Sequence, residues 1–299
     1  VSSRRQRQMC IRDRYNKDEK MKVIPIKDFQ VGNNQNLTLM GGMNVIESEE
    51  TALLVAEKFK EVTEKLNINW IFKASFDKAN RSSIESFRGP GMDDGLKILE
   101  KISSTFDVPV ITDIHEPSQA EPVSEVCEVI QIPAFLCRQT DLVSAAAKTN
   151  SAIQFKKPQF LSAAEMKNVV EKCKSAGNEK VILCERGNIF GYNNLVVDSL
   201  NFQIMKAYSV PVMFDVTHSL QLPGGLGKST DGRREFLLHM AKAGISQKIA
   251  GLFLEAHPDP NLAKCDGPCA LKLDQLEPFL HQIKELDNIV KSQKDLDLK

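Results

Sequence analysis

Between residues 37 and 291 the chain alternates eight short apolar runs with eight helix-length stretches, and each run carries a polar or charged residue near or just past its C-terminal end. The runs are LTLMGGM (37–43), NWIFKAS (69–75), VPVITDI (108–114), VIQIPA (129–134), AIQFKKP (152–158), VILCERG (181–187), VPVMFDV (210–216) and GLFLEAH (251–257). They are almost continuously apolar, as strands covered on both faces must be. The stretch 49–66 carries Leu53, Leu54, Ala56, Phe59, Val62 and Leu66 at helical spacing. Further helices are predicted near 92–105, after Pro117, near 140–148, over 162–176 with Gly177 as its stop signal, near 198–208, over 231–243 and over 274–291. Such βα alternation predicts a closed (β/α)8 TIM barrel. An open doubly wound sheet is the alternative, but no GxGxxG follows the first run. GGLGKST (224–230) lacks the spacing of a Walker A loop and reads as a mobile loop.

One large core fits 299 residues that are 42% hydrophobic, so residues 21–299 are expected to form a single barrel domain. VIPIKDFQV (23–31) precedes the first unit and reads as a short N-terminal hairpin or a plug. Residues 1–20 hold seven Arg or Lys against three Asp or Glu, without apolar periodicity or a signal peptide's apolar centre. They are expected to be a disordered or artefactual extension, with Met21 as a plausible start. Net charge is zero, which argues for neither a nucleic-acid nor a membrane partner. No apolar run approaches the roughly 20 residues of a membrane span. The seven cysteines are scattered without a CxxC pair, which fits reduced thiols in a cytoplasmic protein.

Active sites of such barrels lie at the C-terminal ends of the strands. Those ends hold Asn44 and Glu47; Lys73 and Ser75; Asp113 and His115; Gln131; Lys156 and Lys157; Glu185 and Arg186; Asp215 and His218; Glu255, His257 and Asp259. One polar strand end would mean little, but eight converging on one mouth are not a solvated surface. A lone strand-end histidine is as often a structural hydrogen-bonder as a catalyst. The i, i+2 pairs Asp113/His115 and Glu255/His257 put both members on one strand face. Lys156 and Lys157 are adjacent, so only one should point inward. His239 and His281 fall on helices, and Met40 and Met43 read as core.

The second run opens into a basic, hydroxyl-rich loop. Lys73, Ser75, Lys78, Asn80, Arg81, Ser82, Ser83 and Arg88 face only Asp77 and Glu85. Cations, amides and hydroxyls presented together suit a small phosphorylated ligand. Lys73, Lys78, Lys156 and Arg186 would stand close together without enough counter-charge, which favours a site for a phosphate and a carboxylate.

Nine segments carry a resemblance: GGMNVIES (41–48), FKASFDKANRSS (72–83), RGPG (88–91), TDIHEPSQ (112–119), QIPAFLCRQTDL (131–142), KKPQF (156–160), LCERGNIFGY (183–192), FDVTHSLQLPGG (214–225) and EAHPDP with KCDGP (255–268). Over about Met21 to Lys291 the chain resembles the 3-deoxy-D-manno-octulosonate 8-phosphate synthase family. KANRSS followed by RGPG favours it over the 7-phosphoheptulonate and sialic acid synthases that share the barrel. The resemblance implies a transferase that condenses phosphoenolpyruvate with D-arabinose 5-phosphate and water for lipopolysaccharide biosynthesis, as a cytoplasmic homotetramer. It makes Lys73, Lys78, Lys156 and Arg186 phosphoenolpyruvate anchors, with Ser75, Gln131 and Ala134 beside them. It gives Asn80, Arg81 and Ser82 to the sugar-phosphate loop, partly across a subunit interface. Asp113, His115, His218 and Asp266 would line the place where the carbons meet.

This family has a metal-dependent class, in which a cysteine at the end of the first strand completes a site with a histidine, a glutamate and an aspartate. The matching positions here are Asn44, His218, Glu255 and Asp266. Asn44 replaces a soft thiolate with a weak neutral ligand, and CDGP (265–268) resembles the metal-free class, although QLPGGLGKS (221–229) looks like loops of metal-dependent members. No metal and no cofactor are therefore expected. Asn44, Lys78, Asp113, His218 and Asp266 are the expected catalytic set; which of them activates water stays open. Two other readings remain: a silent barrel that senses phosphoenolpyruvate, and a Schiff-base aldolase using Lys156.

Overall fold

The computed structural model describes residues 22–80, 83–223 and 231–296. The expected N-terminal extension, Arg81 and Ser82, and all of the predicted mobile loop 224–230 lie outside the described residues. The barrel strands are Thr38–Val45, Asn69–Ser75, Val110–Asp113, Val129–Ile132, Ala152–Lys156, Val181–Glu185, Val212–Asp215 and Gly251–His257. All neighbours pair in parallel, and the last strand closes the ring by pairing with both the first and the seventh.

Burial on both faces explains the continuous apolar runs. Alternate residues Met40, Ile71, Ile111, Val129, Ala152, Ile182, Met213 and Phe253 fill the barrel interior. Their strand neighbours, such as Leu39, Phe72, Val110, Phe155 and Phe214, meet the helices outside. The antiparallel hairpin Ile24–Ile26 and Phe29–Val31 adds Ile24, Ile26 and Val31 to the interior cluster. The hairpin is therefore also the plug. It closes the N-terminal end, where Asn33 bonds Val210 O and Val212 N at the entry to the seventh strand. Only the opposite end is left for a polar site.

The helix Glu49–Lys65 starts where Ser48 Oγ accepts from Thr51 N at 3.1 Å, and Glu49 and Glu50 face the positive end of its dipole. Its buried stripe is Ala52, Val55, Ala56, Phe59 and Val62. Leu54, expected on that stripe, is 47% exposed; at 3.6 residues per turn it falls outside the face set by Phe59. The predicted helix 231–243 begins late. Asp231 and Gly232 pair antiparallel with Gln221 and Leu222, so their backbone groups are committed to a ladder and the α-helix runs over Leu237–Ile245. Single 3₁₀ turns likewise lead into the helices Ala120–Val126, Met166–Ser175 and Leu276–Ser292. A small hairpin that periodicity does not show, Asn188–Gly191 with Asn194–Val196, follows the sixth strand and turns at Tyr192 and Asn193, both with positive φ.

One glycine sets the geometry beneath the mouth. A Cβ on Gly42 would stand 2.1 Å from Lys73 O. The first two strands approach this closely only because that position has no side chain, and the approach fixes the backbone of Lys73.

Candidate active site

The inward face of each strand carries its last polar residues to one rim. Lys73 is fully buried; its ammonium donates to Asn44 O at 3.0 Å and Ser75 Oγ at 2.9 Å, and lies 3.4 Å from Glu255 Oε1 and 3.9 Å from Asp113 Oδ1. Ser75 donates in turn to Asp113. His115 Nε2 is 3.4 Å from Asp113 Oδ2. Gln131 stands in register with Asp113 on the neighbouring strand. Across the mouth, Lys156 Nζ donates to Asp215 Oδ2 at 2.7 Å and lies over the Phe253 ring. Lys157 faces the other way, onto Asn188 Oδ1 at 2.6 Å, so one of the adjacent lysines does point inward.

His218 sits in a short helix, Val216–Ser219, one step past the seventh strand. Its Nδ1 is 2.8 Å from Asp215 Oδ2; its Nε2 is 3.5 Å from Glu255 Oε2 and 3.8 Å from Asp266 Oδ2. Asn44 Nδ2 donates to the same two carboxylate oxygens, at 2.6 and 3.2 Å. Asp266 reaches the mouth from a loop, in a left-handed conformation with φ of 49°. Arg186 Nη2 donates to Gln221 Oε1 at 2.6 Å and His218 O at 3.4 Å.

The electrostatics follow from burial and these neighbours. Burial, then Lys78, lower the Lys73 pKa to about 8 against the pull of Glu255 and Asp113. Burial also opposes the Lys78 charge, but Asp113, Glu255, Cys265 and Asp266 outweigh it and raise its pKa. Burial would lift Asp113, yet Lys78, Lys73 and His115 hold it well below the usual carboxylate range. Asp215 is held down against burial by His218, Lys156 and Arg186, and Glu255 by His218, Lys73 and Lys78. Burial lowers Arg186.

The expected shortage of counter-charge is corrected: Asp113, Asp215, Glu255 and Asp266 match the four cations in formal charge. What is unmatched is local. Among the described residues, Arg186 Nη1, Gln131 Oε1, Asn44 Oδ1 and both ring nitrogens of His115 are buried without a hydrogen-bond partner. Buried polar atoms left open are costly unless something fills them. Arg186 makes its contacts with neutral acceptors, which leaves its charge available to an anion.

Ala134 begins a 3₁₀ turn, Ala134–Leu136, just past the fourth strand and is half-buried. Asn80 is exposed on the basic loop, and Arg88 is already paired with Asp77. Glu185, named among the strand ends, faces out of the barrel. It accepts from Arg186 N at 2.9 Å, Gly187 N at 2.6 Å and Asn201 Nδ2 at 2.9 Å, and so braces the turn that presents Arg186. Asp215, one of the polar strand ends, joins Lys156 to His218. The FDVTH spacing, with Asp three residues before His, was the available signal.

Asn44 Nδ2 donates into Glu255 and Asp266, so the amide hydrogens occupy the position from which a cation would bind those carboxylates. The amide N–H cannot serve as a ligand, and the amide atom left open, Oδ1, is a weak neutral one, so the arrangement fits a metal poorly.

Comparison with known proteins gives a consistent picture. The model of the DAHP synthetase I family matches residues 15–292. Proteins of Pseudomonas paraeruginosa and Pseudomonas putida named 2-dehydro-3-deoxyphosphooctonate aldolase are each 62% identical over 271 residues, covering 91% of this chain and 96% of the relative. A protein of the same name from Pseudomonas fluorescens is 60% identical over the same shares.

Proposed function

For this chain, which belongs to the DAHP synthetase I family and within it to the 2-dehydro-3-deoxyphosphooctonate aldolases, we propose a division of labour at the barrel mouth. The reaction is the condensation of phosphoenolpyruvate with D-arabinose 5-phosphate and water, giving 3-deoxy-D-manno-octulosonate 8-phosphate and inorganic phosphate. The chain is thus a transferase of Kdo biosynthesis built on a TIM barrel. Among the described residues, no helix is long and apolar enough to cross a membrane.

Arg186 anchors an acidic group of phosphoenolpyruvate, and its buried, half-satisfied guanidinium is the observation that carries this assignment. Lys156, Lys73 and Lys78 complete the cationic cradle, with Ser75, Gln131 and Ala134 beside them. Such fixed charges hold C3 of the enol close to the sugar aldehyde, where proximity replaces a collision in solution. The C3–C1 bond forms as the aldehyde oxygen takes up a proton. Positive charge develops at C2, water adds there and releases a proton, and the tetrahedral carbon expels phosphate. Asp113, Glu255 and Asp266 are ionisable acceptors around that carbon, and His218 Nε2 faces two of them. His115 faces Asp113 through Nε2 and leaves Nδ1 without a partner among the described residues, and it serves a substrate hydroxyl or the aldehyde oxygen. Asn44 holds Glu255 and Asp266 in place without a metal. Asn80, with Arg81 and Ser82, receives the sugar phosphate.

Residues 21–299 act as one barrel domain in a cytoplasmic homotetramer. Ile189, Phe190 and Tyr192 on the small hairpin and Phe160 nearby are exposed, an apolar surface that supports association.

The testing experiment measures phosphate release from phosphoenolpyruvate with arabinose 5-phosphate, erythrose 4-phosphate or N-acetylmannosamine as acceptor. Only the first should support turnover. A preference for either other acceptor would reassign the chain to a sister activity.

A further inference from the structure

Asp215 is fully buried and uses both carboxylate oxygens. Oδ1 accepts from the backbone N of His218 at 2.9 Å. Oδ2 accepts from Lys156 Nζ at 2.7 Å and faces His218 Nδ1 at 2.8 Å. An ionised carboxylate has only acceptors, so a ring nitrogen at hydrogen-bond distance from it must bring the proton. We infer that Asp215 is the positioning residue that keeps the His218 imidazole protonated at Nδ1, so that any proton it exchanges with the reacting carbons passes through Nε2.

The other ring nitrogen is held less closely: its carboxylate neighbours stand at 3.5 and 3.8 Å, beyond the 2.8 Å of the Asp215 contact. Nε2 points at Glu255 Oε2 and Asp266 Oδ2, the Phe253 ring lies 5.9 Å away, and the guanidinium of Arg186 holds the His218 carbonyl. A neutral ring keeps its hydrogen on Nδ1 and an open lone pair on Nε2. A charged ring gains its second hydrogen at Nε2 and returns it from there. The same Asp215 oxygen meets Lys156, so one carboxylate aligns a phosphoenolpyruvate anchor with the imidazole. The inference rests on the condensation reading of the mouth for its purpose, but its geometry can be tested without turnover.

The test uses the full chain labelled with ¹⁵N in its five histidines, with the His218 signals assigned by their loss in His218→Gln. With the ring neutral, the wild-type spectrum should show a protonated Nδ1 and a pyridine-type Nε2. In Asp215→Asn a single oxygen cannot serve both the His218 backbone and its ring. The amide NH₂ then faces Nδ1, and the Nε2–H tautomer should gain population. Turnover should fall on the order of a hundredfold or more, as when other buried aspartates that set a histidine tautomer are neutralised. A wild-type ring protonated at Nε2 overturns the inference, and this reading needs no variant to fold. Lost turnover with the wild-type tautomer retained overturns it as well, leaving Asp215 a structural residue. A tautomer switch with turnover intact upholds the positioning of the ring and instead removes His218 from the reaction.

Discussion

Asn44 places its amide Nδ2 2.6 Å from Glu255 Oε2, with Asp266 Oδ2 at 3.2 Å on its other side. The contact ties the first barrel strand to the last and fills with amide hydrogens the position from which a divalent ion would bind the two carboxylates. Activity should therefore survive exhaustive chelation. Asn44→Cys removes the donor and adds a thiol that can become a soft ligand, so it should increase affinity for zinc or manganese. Activity lost on chelation and restored by a divalent ion would refute metal independence.

Lys73 sets a pH limit. Its pKa is about 8 in the free site, so above that pH the ammonium loses its proton and an anchor is lost. A bound anion favours the ammonium. Phosphoenolpyruvate should thus bind more weakly as pH rises through about 8, with proton uptake on binding. Stability moves the other way: between pH 8 and the ordinary value of 10.5 the unfolded chain holds the Lys73 proton and the folded chain does not, so this group's contribution rises with pH. Titration calorimetry in buffers of different ionisation enthalpy checks the uptake; equal apparent enthalpies above pH 8 would contradict it.

Arg186→Ala removes the guanidinium whose Nη1 has no partner among the described residues. The loss of charge pairing with a buried anion should cost about 2–5 kcal/mol in phosphoenolpyruvate binding. Initial-rate kinetics should show a large rise in KM for phosphoenolpyruvate. An unchanged KM would make Arg186 structural.

Gly42→Ala forces a methyl group to 2.1 Å from Lys73 O. The neighbour is backbone and cannot rotate away, so the first two strands must separate. Overpacking of this kind should cost about 1–3 kcal/mol, and the displaced Lys73 should also weaken phosphoenolpyruvate binding. Denaturant melts that match the wild type would show that the barrel absorbs the methyl without strain.

Phe190 is 73% exposed on the small hairpin. Sedimentation should find a tetramer, and Phe190→Asp should shift it toward smaller species with reduced activity. A fully active monomer would end the proposal of a tetrameric enzyme.

Much of this protein was legible because a parallel barrel buries each strand on both faces. That requirement writes near-continuous apolar runs such as VILCE and GLFLEAH and leaves polar residues only where the runs end at the mouth. Lys73, Asp113, Lys156, Arg186, His218 and Glu255 could therefore be named as one rim before any contact was known. Helix starts were less legible: before Leu237 a ladder at Asp231 and Gly232 and the 3₁₀ turn Arg234–Phe236 compete with the α-helix, and periodicity does not register a backbone pairing. The pairing of charges between strands was not legible. Asp215 meets Lys156 59 residues away across the barrel mouth, and Asn44 meets Glu255 211 residues away because closure of the ring joins the first strand to the last. Sequence order holds the alternation of faces, which repeats every two residues. It does not hold the distance between side chains on different strands, which only the closed barrel supplies.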